Sequence, residues 1–246
     1  MCDCGYRRLM DKQRTYALSA KLLESYQNAA LDNAQSLLEE AQILYSRDRF
    51  ARAYFLAVSS IEETGKAWLA FSARGRNLDN AGVQKRLKEI FEHHSQKISS
   101  AFIGWLHSSS FDKDSLERAL ALMIHLKRGR EKAMYIDVRS DNSVSIPGAI
   151  VRPVAAKDCI AVATNCLEHM RRFVSTTNPL IANSYDDKLL CINSSKVVQI
   201  FKQEDFGRFL LDKLRREHNK FNMTEAIVTY NEGYFSRKRI YTPNDS

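Results

Sequence analysis

A chain of 246 residues, 44% hydrophobic but with only nine glycines and four prolines, is long enough to bury a sizeable core and reads as mostly helical. Its net charge of +8 favours polyanionic partners, and five scattered cysteines without a secretory signal imply free thiols in a reducing cytoplasm. Cys2 and Cys4 lack a second Cys/His pair at zinc-site spacing, and charges interrupt the most apolar window, so neither a metal site nor a membrane span is expected.

From Asp11 to Tyr45, apolar residues recur at helical period: Leu18, Leu22, Leu23, Tyr26, Ala30, Ala34, Leu37, Leu38, Ala41 and Leu44. Ser46-Arg47-Asp48 breaks the pattern. A second helix, expected from Arg49 to Ala73, is apolar nearly all the way round, the mark of a central buried helix. Yet Glu62, Glu63 and Lys66 sit in its middle, and both acids are spaced to reach the lysine. Charges in such a place are paired, partly solvated in a cleft, or functional; the trio is either an internal ion pair that only fixes packing or part of a site.

A third helix carries Val83, Leu87, Ile90, Phe91, His94, Ile98, Phe102 and Trp105 on one line. That line points His94 into the bundle, with Lys97 at the edge of the same face. After Ser108-Ser109-Ser110 a fourth helix, capped by Asp112 or Asp114, turns Leu116, Leu120, Met123, Leu126 and Met134 inward. It ends in Lys127, Arg128, Arg130, Lys132, Tyr135 and Asp137. This is either a basic helix end favoured by the dipole or an anion-binding edge where Arg130 or Arg128 grips a phosphate.

Tyr135 to Pro147 reads as a short hairpin or an irregular extended excursion, and a fifth helix spans Ala155 to Val174. Beyond Asn193 the chain becomes an appendage with one expected helix, Gln203 to Phe221, and a tail that interleaves basic and aromatic residues. Those aromatics either dock the tail onto the bundle or stack on single-stranded RNA. The fold class expected is all-α: an antiparallel helical bundle with a small hairpin over residues 11–192, and a C-terminal extension over 193–246.

Three motifs in order carry a family likeness. Ala51-Arg52-Ala53-Tyr54-Phe55-Leu56-Ala57 leading into Glu62-Glu63-Thr64-Gly65-Lys66, then His94-Ser95-Gln96-Lys97, then Arg130-Glu131-Lys132-Ala133-Met134-Tyr135-Ile136-Asp137 resemble the AbiV abortive-infection family over Asp11 to Asn193. The resemblance implies a bacterial phage-defence protein with a HEPN-like bundle that pairs across a two-fold axis. It also implies inhibition of translation once a phage product switches the protein on. Many HEPN proteins are metal-independent ribonucleases whose cleft forms between protomers and whose motif is an Arg followed, after a short spacer, by a His. Arg86 with His93 and Arg118 with His125 have such a spacer, but Leu87 and Ala119 stand where the motif favours a polar residue.

The function expected is therefore a phage-defence protein that blocks translation as a metal-independent endoribonuclease. His94 would serve as general base or acid, because imidazole titrates near neutral pH. Lys66, Lys97 and Arg130 would stabilise the phosphorane, Glu62 or Glu63 would orient the histidine or lysine, and Tyr135 and Asp137 would brace the cleft. No cofactor is called for. The partners expected are a second copy of the chain, RNA and a phage-encoded activator, with no membrane and no DNA. The alternative is a non-catalytic translation inhibitor that binds RNA or protein, with the polar cluster as a structural keystone.

Overall fold

The computed structural model describes residues 16–108, 113–129, 133–138 and 140–243. The first helix, α1 (Ala20–Ser46), starts where the Ser19 side chain accepts the Leu22 N–H. Tyr16 to Ser19 precede it without helical structure, so the described part of the helix begins later than its periodicity suggests. Leu23, Gln27, Ala30, Leu31, Ala34, Leu38 and Ala41 form its buried stripe. A sharp turn follows, in which Asp48 takes a positive φ of 58°.

The second helix, α2 (Phe50–Ala73), is buried on most of its circumference, as an apolar helix must be. Its small residues Ala53, Ala57, Ala67 and Ala70 are fully covered and let neighbouring helices come close. The Ser60 hydroxyl donates to the carbonyl of Ala34 at 2.7 Å, a bond that fixes the register of α1 on α2. Such a bond contributes about 1 kcal/mol net, and leaving the buried hydroxyl unpaired would cost more.

The apolar line expected to run through one third helix is divided between two, α3 (Ala81–Glu92) and α4 (His94–Ser108). His93 caps α3 with an extended backbone, φ −79° and ψ 108°, and the chain re-enters a helix at the next residue. α5 (Lys113–Gly129) buries Leu126 and packs Met123 on the core, as its inward face predicts, but leaves Leu120 exposed. Its helical partner is α4, which covers only one side of it.

The excursion at Tyr135 is a hairpin, β1 (Asp137–Val138) antiparallel to β2 (Val144–Ser145), with Val138 opposite Val144. After a single turn, α6 (Pro147–Ile150), the long α7 (Pro153–Thr176) begins with proline in its first turn and packs back on α2, α4 and α1. Helices α1, α2, α4 and α7 thus enclose the main core, which includes Ile61, Ile98, Phe102, Leu167 and Met170. The protein is all-α, with the hairpin as a minor extended element.

The C-terminal part is richer in helix than its sequence suggests. It comprises α8 (Ser184–Cys191), α9 (Ser194–Phe201), α10 (Glu204–Glu217) and α11 (Met223–Gly233). A second core of Ile200, Phe206, Phe209, Ile227, Tyr230 and Tyr241 lies among them. α8 forms the seam: Leu189 packs on this second core, and Leu190 packs on a cluster built from α1, α2 and α3. Buried Asp187 fixes the seam by accepting the Asn77 N–H at 3.1 Å and facing Arg76 at 3.4 Å. The tail aromatics Phe209, Tyr230 and Tyr241 are therefore core residues, with no face left for stacking on bases.

Candidate functional site

The crossing of α2 and α4 places the polar residues. Glycine in a helix interior costs about 1 kcal/mol relative to alanine, so Gly65 needs a local reason. A Cβ at Gly65 would fall 1.8 Å from the carbonyl oxygen of Lys97. Only a residue without a side chain lets the first turns of α4 lie against α2 at this point. The close approach brings His94, in the opening turn of α4, over Glu62 one turn earlier on α2.

Glu62 Oε2 and His94 Nδ1 lie 2.7 Å apart. Glu62 is buried, at 5% exposure, whereas the side chain of His94 is 57% exposed. The imidazole therefore does not enter the bundle as its position on the apolar line suggests. The chain break at His93 ends one helical face and begins another, which turns His94 outward onto the carboxylate. A carboxylate can only accept here, so Nδ1 carries the hydrogen and the Nε2 lone pair is left as the basic position of the ring.

Lys66 follows one turn beyond Glu62, and its ammonium pairs with Glu63. The two acids thus divide their work: Glu62 holds the histidine and Glu63 the lysine. Both members of the Glu63–Lys66 pair are partly exposed. Lys97, expected at the edge of the cleft, is only 6% exposed.

Other residues singled out in the sequence lie elsewhere. Tyr135 and Asp137 are exposed, and Asp137 accepts the N–H of its own neighbour Val138. Their hairpin sits by the start of α2, where Met134, Ile136 and Ile146 line a cavity of about 340 Å³ with Phe50, Ala51 and Arg52. Glu62 is twelve residues further along α2, roughly 18 Å by helical rise, so the hairpin does not brace the histidine within one chain. Arg130 lies outside the described residues.

The Arg86–His93 pair does not share a helix face, because His93 is the cap with extended backbone; Arg86 instead pairs with Glu89 at 3.0 Å. His125 is exposed on α5. Among the described residues no group of three His, Cys, Asp or Glu side chains is placed to hold a metal ion, and no helix is long and apolar enough to cross a membrane.

In the sequence Gly65 stands only as part of a motif; its role as the contact that seats α4 emerges from the structure. The signal was present, since a mid-helix glycine among strong helix formers implies close approach of another backbone.

No curated protein and no solved structure matches the chain. A family model described as HEPN_AbiV, AbiV, matches residues 22–168, a span that holds α1 through most of α7 and the Glu62–His94 pair. The chain belongs to the AbiV family, the HEPN-like abortive-infection proteins.

Proposed function

We propose that this abortive-infection protein blocks translation as a metal-independent endoribonuclease switched on by a phage product. The observation that carries the reading is the solvent-facing His94 held at Nδ1 by buried Glu62. In this chemistry Nε2 takes the proton from a ribose 2′-hydroxyl, whose oxygen attacks the adjacent phosphorus and expels the 5′-oxygen. Lys66 supplies positive charge to the phosphorane oxygens when it exchanges Glu63 for phosphate, and buried Lys97 adds to the positive field. The proton needed by the leaving oxygen comes from a second acid.

The site opens onto the surface of one chain, and a second copy both closes it and supplies that acid. Exposed apolar residues on α1 (Leu22, Tyr26, Ile43) and α5 (Leu120, Ile124) give a helical surface suited to such pairing. Light scattering at micromolar concentration is expected to give a dimer mass.

A second reading is favoured by the closed Glu63–Lys66 pair and the burial of Lys97, both typical of a structural keystone. In it the protein stops translation by binding RNA or protein without cleavage. The deciding experiment incubates the purified chain with total RNA and a chelator, with and without extract from phage-infected cells. Discrete cleavage that vanishes in His94→Ala supports the nuclease. Intact RNA beside a retained translation block supports the binder.

A further inference from the structure

α10 and α11 enclose a cavity of about 330 Å³ in the C-terminal part, outside the span matched by the family. Phe209, Lys213, Arg216 and Glu217 recur on one face of α10, and the half-buried Tyr234 supplies a flat wall beside buried Tyr241. The rings of Tyr234 and Tyr241 meet at 87°, edge against face, and so hold each other upright. Gly233 lines the same space, and a Cβ there would meet nothing within 4 Å.

Two features give the cavity a chemical preference. Lys213 binds Glu217 through Oε1 and is shared with Glu225 at 3.0 Å. Oε2 of Glu217 is covered yet accepts no hydrogen bond, an unmet demand for a donor. Glu217 lines the cavity with its side chain 30% exposed, so its carboxylate is within reach of a donor that enters. Positive charge accompanies that oxygen: Arg216, an exposed residue, lines the same cavity.

We propose that this cavity receives the guanine base of a nucleotide, with the base against Tyr234, its Watson–Crick edge on Glu217, and its phosphate on Arg216. Guanine presents two adjacent donors, N1–H and the N2 amine, to an acceptor-only carboxylate. Adenine turns a ring acceptor to the same group and is repelled. Stacking on an aromatic wall suits any base, so Glu217 is the discriminating residue. The base comes either from single-stranded RNA or from a free guanine nucleotide. The site adds a guanine preference to the RNA reading above, and it does not require His94 to be catalytic.

The test titrates the full chain with the four nucleoside 5′-monophosphates and with short oligouridines that carry or lack one guanosine, followed by tyrosine fluorescence and calorimetry. Guanosine monophosphate is expected to bind about tenfold more tightly than adenosine monophosphate, the size of one charge-assisted contact. A preference seen only in the oligonucleotide series assigns the site to RNA, and one seen equally with the monophosphate assigns it to free nucleotide. Glu217→Gln should erase the preference, and Gly233→Leu should block binding by filling the space while the melting temperature holds. Should Gly233→Leu unfold the protein, Glu217→Gln alone decides. His94→Ala should bind guanine as the parent does, which separates failure here from failure of the nuclease. Absence of guanine preference in both series, or a preference that survives Glu217→Gln, overturns the proposal.

Discussion

Oε2 of Glu62 and Nδ1 of His94 meet at 2.7 Å across 32 residues of sequence, joining the most buried helix to an exposed imidazole. The acid holds the ring's orientation and tautomer, so on the proposed reading its loss should weaken cleavage without removing the nitrogen proposed to react. On the proposed ribonuclease reading, His94→Ala is expected to lower RNA cleavage by about 10²–10⁴-fold, the usual share of a positioned acid–base group. Glu62→Gln should give a smaller loss, concentrated in kcat rather than KM. Nitrogen NMR of His94 offers a check independent of cleavage: Nδ1 should be the protonated nitrogen in the parent and lose that preference in Glu62→Gln.

Gly65 predicts a structural counterpart. Alanine there drives its methyl into the Lys97 carbonyl, which belongs to a helix backbone and cannot swing aside. Overpacking of this kind costs about 3 kcal/mol at the upper end of its usual range. The melting temperature should fall, and because relief comes by lifting α4 from α2, the Glu62–His94 bond should be lost as well. A Gly65→Ala protein with the parent's stability and His94 signals would refute this role.

The contrast between α2 and α4 explains what the sequence can reveal. α2 was legible because its apolar residues go right round and leave Glu62, Glu63 and Lys66 as anomalies. The break at His93 was not, because the apolar line from Ile90 to Ile98 runs through it without a proline or glycine to mark it. Which acid serves the histidine was equally hidden. Glu62 and Glu63 differ by one position on a helix, and only the placement of α4, set by Gly65, selects Glu62. Likewise α9 and α11 are short helices held by tertiary packing rather than by propensity, so local pattern carries little of their signal.

The two cysteines of α7 predict a pH response. Burial pushes the Cys166 thiol from its ordinary value near 9 up to about 12, and burial, with neighbouring Cys166 and Asp158, pushes Cys159 up as well. The folded chain then holds thiol protons that the unfolded chain releases, so stability falls as pH rises from about 9 towards the folded value. Denaturant midpoints should be level below that window and drop within it. At neutral pH both thiols should resist iodoacetamide until the protein unfolds, as peptide mass mapping would detect. Rapid native alkylation of either would contradict the burial.

Asp205 holds the C-terminal end of the chain in place. One carboxylate oxygen accepts the Tyr230 hydroxyl at 2.7 Å and the other accepts the backbone N–H of Tyr241 at 2.7 Å. Tyr241 is further fixed by donating to Asp212 at 3.0 Å. Asp205→Ala leaves both the hydroxyl and the N–H without their acceptor, at about 1–3 kcal/mol for each donor that water cannot reach. Because the second core is built from α9, α10 and α11, the loss should fall there and spare α1, α2, α4 and α7. Limited proteolysis should cut the variant after Gly233 well before the parent, while hydrogen exchange in α2 stays slow. Equal loss of protection in α2 would mean that the two cores unfold as one unit and that Asp205 stabilises the whole protein.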